Sequence, residues 1–232
     1  MKIVIRGHIR NSFATDELYT LLKYLSEKYK IQIYIHTWNK KQNNVSWRTI
    51  ENDPTEITTN TVKTYFKDLF KFVHGIIIED DAGIELHGNL DGKLASSKTN
   101  IIGWKRYIYG QYRVIKYVYD ISDDRDEFLL NIRFDLFTNS HVFPYDEITS
   151  FVDANYGITH TNNVFMREGR YCGIDNIVIG SISTNYKLAS AIHFGLDYIL
   201  GDNKTLKNPE FVVPIANDMF SLDTNLLNKY TL

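Results

Sequence analysis

The stretch FLLNIRFDLF, Phe128 to Phe137, decides how the chain is read. It is an apolar run of strand length, rich in aromatic and branched side chains and entered from the polar cluster SDDRDE. Such a run marks a buried central strand whose two faces are both covered. Arg133 and Asp135 interrupt it at its carboxyl end. In open α/β sheets ligands bind at that edge, and a carboxylate held there suits a divalent cation that carries phosphate oxygens. The plainer reading is a surface ion pair capping the strand.

Working outward, KIVIR at 2–6 is a first strand with little alternation, as expected of a central parallel strand. Gly7 breaks it, and the loop GHIRNSFATDE adds His8 and Arg10 to Arg6. The glycine lets the backbone approach a ligand and the arginines can meet a diphosphate, although the spacing is not that of a GxGxxG loop. Thr15 and Asp16 then cap a helix whose apolar face is Leu18, Leu21, Leu22 and Leu25. Ile31 to His36 alternates as a second strand and ends in Thr37-Trp38-Asn39. A strand, helix, strand order of this length is a right-handed crossover, so Gly7 and Trp38 share one rim. The indole and the hydroxyl of Thr37 can stack on and hydrogen-bond a nucleobase there; otherwise Trp38 plugs the loop above the sheet.

Residues 40–61 are polar and read as a long loop over that rim, with Trp47 and Arg48 placed to fold over a ligand. Val62 to Phe72 has helical spacing, ended by Gly75. Ile76 to Ile78 is a third strand that closes in Glu79-Asp80-Asp81, a rival set of acids for a metal, a ribose or plain solvation. Gly103 to Tyr119 is a helix on which Arg106, Gly110 and Arg113 recur at i, i+4 and i+7, one face suited to an anion or simply solvated. After Pro144 the pattern loosens into hydroxyls, amides and an isolated acid, Asp175, between Gly173 and Asn176. These groups form the acceptor side of a cleft, or a loop. Leu188 to Leu200 is a helix capped by Gly201.

Composition narrows the class. With 26 Lys and Arg against 28 Asp and Glu there is no global basic field, so nucleic acid is not an expected partner and any anion site is local. The single cysteine, Cys172, fits a reducing compartment. No apolar run approaches the roughly 20 residues of a membrane span, and the amino terminus lacks a signal peptide's apolar region. The expectation is a soluble, cytoplasmic protein.

Taken in order, the strand, anion loop, TWN strand, acid-ended strand, basic helix and Arg-x-Asp strand resemble a GT-A glycosyltransferase. The segments IVIRGHIRNSF, IYIHTWN, NNVSWR, IGWKRYIYGQ and NIRFDLF are similar to the first domain of the multi-domain glycosyltransferases with which chloroviruses decorate their capsid protein. They are also similar to bacterial capsule transferases with a TWN and an R-x-D strand. The resemblance covers about residues 1 to 180. It implies one GT-A-like α/β domain over 1–232, with a central mostly parallel, mixed sheet between helices. Its Rossmann-like half, 1–137, holds a nucleotide-sugar and its second half, 138–232, holds the acceptor.

The resemblance further implies a UDP-linked donor such as a UDP-hexose or UDP-L-rhamnose, Mn2+ or Mg2+ on its diphosphate, and transfer to a hydroxyl of a glycan or glycoprotein, with retention. On it, Arg6, Gly7 and Arg10 meet the nucleotide, Thr37 and Trp38 form the base pocket, and Asp135 is the last acid of a DxD motif and the metal ligand. Arg133 stands where the first acid belongs, with Asp80 or Asp81 as substitute contacts. For the chemistry, the cation with Arg10 or Arg106 neutralises the leaving group, and Asp175 is the candidate acceptor base of an inverting enzyme or, with retention, orients the acceptor or an intermediate. The alternative is a nucleotide-sugar or glycan-binding module that has lost catalysis, for which Arg133 in place of an acid is the supporting feature.

Overall fold

The computed structural model describes residues 1–43, 51–94, 98–139, 142–168, 172–202, 209–220 and 224–228. FLLNIR forms strand β6 (Phe128–Arg133), and its neighbours are β1 (Lys2–Arg6) on one side and β8 (Ile177–Ser181) on the other. The remaining strands of that sheet are β2 (Gln32–Trp38), β5 (Val73–Glu79), β7 (Asn163–Arg167) and β9 (Thr224–Asn228), giving a seven-stranded order β5-β2-β1-β6-β8-β7-β9. β5, β2, β1 and β6 run parallel, β8 is antiparallel to β6 and β7, and β9 is parallel to β7. The expected central, mostly parallel mixed sheet between helices is the architecture observed.

Strand alternation sorts the core into two layers. Ile3, Ile5, Ile33, Ile35, Leu130 and Ile132 pack with helices α1 (Glu17–Lys28), α2 (Thr59–Phe66) and α4 (Tyr145–Asn155). Val4, Tyr34 and Leu129 face the other way, against α3 (Ile101–Ile121) and α5 (Ile182–Asp202). A further apolar cluster joins α3 and α5 to α6 (Val212–Phe220) through Trp104, Ile108, Leu188, Ile192 and Val212. Because the register pairs Arg6 with both His36 and Arg133, the carboxyl ends of β1, β2 and β6 are level and open onto one rim.

Several local expectations are corrected. The segment at 40–61 is not all loop: β3 (Lys40–Gln42) and β4 (Asp53–Glu56) pair as an antiparallel ribbon, while Trp47 and Arg48 lie outside the described residues. Gly75 does not end a helix but sits within β5, where a Cβ would come 2.8 Å from the Tyr117 ring. Gly201 lies inside α5 rather than capping it. No helix among the described residues is long and apolar enough to cross a membrane.

Candidate active site

Above the level ends of β1, β2 and β6 lies a cleft of about 510 Å³, open mouth included, lined by residues from each of them and from α3. From the loop after β1 come Gly7, His8 and Arg10; from β2, Trp38; from α3, Gly103, Arg106, Tyr107 and Gly110; and from the end of β6, Arg133 and Asp135. The loop reaches the cleft through two left-handed backbone conformations, Gly7 at φ 103° and Arg10 at φ 50°. Nothing lies within 4 Å of where a Gly7 Cβ would point, so the backbone there is open to a ligand. For Arg10 the same conformation carries strain, of the kind that persists at ligand sites.

Period-2 alternation decides which predicted residues face the cleft. Trp38 and Thr37 are neighbours on one strand, so only one of them can face it. Trp38 lines it, 6.2 Å from Tyr109 in a stacked arrangement and edge-on to His36 at 4.9 Å, whereas Thr37 is fully buried and its hydroxyl has no hydrogen-bond partner. The assignment of Thr37 to a base pocket is therefore corrected. Trp38 itself is only 2% exposed, a wall of the cleft as much as a surface for a base. Arg6 is corrected as well: it is buried beneath Tyr107, where its Nε donates to Asn131 Oδ1 at 2.8 Å, Nη1 to the Tyr107 hydroxyl at 2.5 Å and Nη2 to the Asp175 carbonyl at 2.7 Å. It supports the site from below.

Arg133 is the hub. Its Nε and Nη2 donate to the two oxygens of Asp135 at 2.7 and 2.8 Å, its Nη1 donates to Asp175 Oδ2 at 2.8 Å, and the guanidinium lies 5.3 Å from the Tyr107 ring centroid. Burial works against its charge, but the Asp135 and Asp175 carboxylates outweigh burial and hold its pKa well above the ordinary arginine value. Arg10 Nη1 donates to Asp135 Oδ2 at 2.6 Å. Asp175 reaches this cluster because β8, antiparallel to β6, begins where β6 ends, with Ile177 opposite Ile132.

The acids after β5 divide. Asp81 is buried and accepts from Arg106 Nη1 at 3.0 Å and from Asn43 Nδ2; Asp80 is exposed, with Lys40 at 3.8 Å, and does not line the cleft. The Nε of Arg106 is buried and has no hydrogen-bond partner. Arg113 leaves the proposed anion face, pairing with Glu79 at 3.3 Å. Asn43 and Tyr107 are not singled out by the sequence, and His8 enters there only as a residue of the first loop. His8 is pushed down to a pKa of about 3, first by burial and then by Arg10, so the cleft holds it as neutral imidazole with Nε2 unpartnered.

The donor set does not fit the expected Mn2+ or Mg2+ on Asp135. Such a cation sits about 2.0–2.6 Å from its carboxylate oxygens, which on Asp135 means beside the Arg10 and Arg133 guanidinium groups. Among the described residues no three His, Cys, Asp or Glu side chains group as a metal site.

No protein-family model and no curated protein matches the chain. Solved structures do match. An active-site mutant of LgtC aligns with a TM-score of 0.50 and 11% identity over 98% of this chain and 73% of that one. The chain has a GT-A-like fold. The galactosyltransferase LgtC in complex with donor and acceptor sugar analogues aligns at 0.47 and 10% identity over the same shares. The glycosyltransferase GlyE of Streptococcus pneumoniae TIGR4 aligns at 0.43 and 11%, over 97% of this chain and 45% of that one. In this GT-A-like frame the cleft occupies the carboxyl edge of the parallel strands.

Proposed function

We propose that this chain is a glycosyltransferase that moves a sugar from a nucleotide-diphosphate donor, UDP-linked by the resemblance of its sequence, to a glycan hydroxyl. One observation carries it: at the carboxyl edge of β1, β2 and β6, an open glycine backbone and the guanidinium groups of Arg10, Arg106 and Arg133 converge on a single cleft. That combination suits a diphosphate, because oriented guanidinium groups offset charge on phosphate oxygens and need no reorganisation when it develops. In the transfer, the bond from the anomeric carbon to the diphosphate oxygen breaks and its electron pair passes to that oxygen. The acceptor oxygen bonds the same carbon, and its proton goes to the departing phosphate.

Retention of configuration is favoured by the state of the acids. An inverting enzyme needs a carboxylate base on the acceptor, yet Asp81, Asp135 and Asp175 are each paired with an arginine. Asp175, on the turn before β8 and outside the cleft lining, then acts through Arg133, which it holds in place.

The test is release of nucleoside diphosphate from a panel of UDP-, GDP- and dTDP-linked hexoses and deoxyhexoses, with glycan acceptors, followed by NMR of the product anomer. Turnover with one donor class and retained configuration is expected. Tight donor binding without turnover on any acceptor would favour the non-catalytic binding module instead, and no binding of any donor would remove both.

A further inference from the structure

Given that function, on which this inference depends, we propose that the donor diphosphate is held by an arginine clamp and requires no divalent cation. Arg133 occupies the place between Asp135 and Asp175 that a bridging cation would need, and it cannot leave. Both Asp135 oxygens, one Asp175 oxygen and the face of Tyr107 hold it on separate sides. Moving it away would leave the buried Asp175 without its arginine and Asp135 with Arg10 alone of the pair, a strongly destabilising change. A dication beside it would meet a fixed like charge at close range, where the low local dielectric strengthens repulsion.

The cleft supplies in arginine what it lacks in metal ligands. Of the carboxylates around it only Asp135 lines it, against Arg10, Arg106 and Arg133. Arg106 brings a buried Nε with no acceptor. Buried donors of this kind are costly until an acceptor arrives, and phosphate oxygens are such acceptors. The strained backbone of Arg10 places its guanidinium at the Asp135 end of the same cleft. Arginine suits this role better than lysine, because its planar fork can meet two phosphate oxygens at once.

The experiment is calorimetric binding of inorganic pyrophosphate, UDP, GDP and dTDP to the full chain in excess EDTA and in excess Mn2+. Pyrophosphate reports the clamp regardless of which base the protein prefers. The expected result is that at least one of these ligands binds, with affinities in the two buffers that differ by less than about tenfold. A loss of about tenfold or more in EDTA overturns the clamp while leaving glycosyl transfer standing. Absence of binding in both buffers overturns the clamp together with the function. Arg106→Gln and Arg10→Gln, checked by circular dichroism for native structure, should each weaken binding in EDTA by about tenfold or more, as expected for losing a charge-assisted contact. Undiminished affinity in both folded variants would place the anion elsewhere and overturn the clamp.

Discussion

At the scale of single residues, Arg133 decides what Asp135 can do. The pair was visible in the sequence because a buried strand fixes its last residues at the sheet edge, but the sequence did not show that the arginine folds back onto the acid. Asp135→Asn separates the two roles. As the partner of Arg10 and Arg133, the carboxylate contributes charge-assisted hydrogen bonds, so the variant should lose about 1–3 kcal/mol of stability, read from its urea midpoint. Pyrophosphate affinity in EDTA should hold or rise, since a competing negative charge is gone. A metal ligand would show stability near wild type and loss of binding in Mn2+. Trp38→Ala should lose about 3–5 kcal/mol, as for an aromatic removed from a packed interior, while Trp38→Phe retains most of that; an alanine variant as stable as wild type would show an uncommitted rim residue. Gly7, Arg10, Arg106 and Trp38 were legible as cleft residues because each ends or faces a recognisable element. Arg6 and Thr37 were not, because which side of a strand is covered, and by what, depends on α3 and its Tyr107.

At the scale of elements, α3 is seated by a glycine. A Cβ on Gly110 would lie 2.7 Å from Nδ1 and 2.8 Å from Cε1 of the buried His36 ring, which is held in turn by its hydrogen bond to Glu79 at 3.0 Å. Gly110→Ala gains about 1 kcal/mol of helix propensity and incurs about 1–3 kcal/mol of overpacking. The expected net is a loss of stability, accompanied by weaker anion binding because Arg106, one turn away, moves with the helix. An alanine variant more stable than wild type, with unchanged binding, would show that α3 does not bear on His36. The glycine was read from sequence as facing a ligand; it lines the cleft, and its tightest neighbour is the strand below. Long periodic elements such as α1, α3 and the parallel strands were legible for the same reason that makes them form, an apolar face repeated over many residues. The β3–β4 ribbon, β7 and β8 were not, being short and defined by their pairing partners, and α4 was not legible after Pro144 either. Missing β8 left Asp175 as an isolated acid, although β8's antiparallel start is what brings it to Arg133.

At the scale of the whole molecule, three desolvated histidines, His36 buried and His8 and His193 partly so, set how stability responds to pH. His8 is lowered to about 3 and His193 to about 4, in both cases first by burial; His36 is lowered by burial too, against its hydrogen bond to Glu79. In the unfolded chain each returns to about 6.5. Between these values the unfolded state binds protons that the folded state refuses, so stability is fully present above about pH 6.5 and falls as pH drops below it. Each such histidine contributes a slope of up to about 1.4 kcal/mol per pH unit. The carboxylates act later: Asp53, lowered to about 2 by its Thr55 and Lys41 hydrogen bonds, and Glu79, lowered by His36 and Arg113 against burial, lose their contribution only below the ordinary carboxylate range. Thermal melts from pH 8 to pH 5 should therefore show a decline that begins near pH 6.5, well above the range in which carboxylates titrate. His193 stacks on Tyr112 at 4.5 Å and does not line the cleft, so His193→Gln removes one titrating group without touching the clamp. Its decline between pH 6.5 and 5 should be shallower than wild type, with pyrophosphate affinity unchanged. A melting temperature that stays flat down to pH 5 in the wild-type protein would mean that these rings are hydrated in solution and that the seam between α3 and α5 is looser than its packing implies.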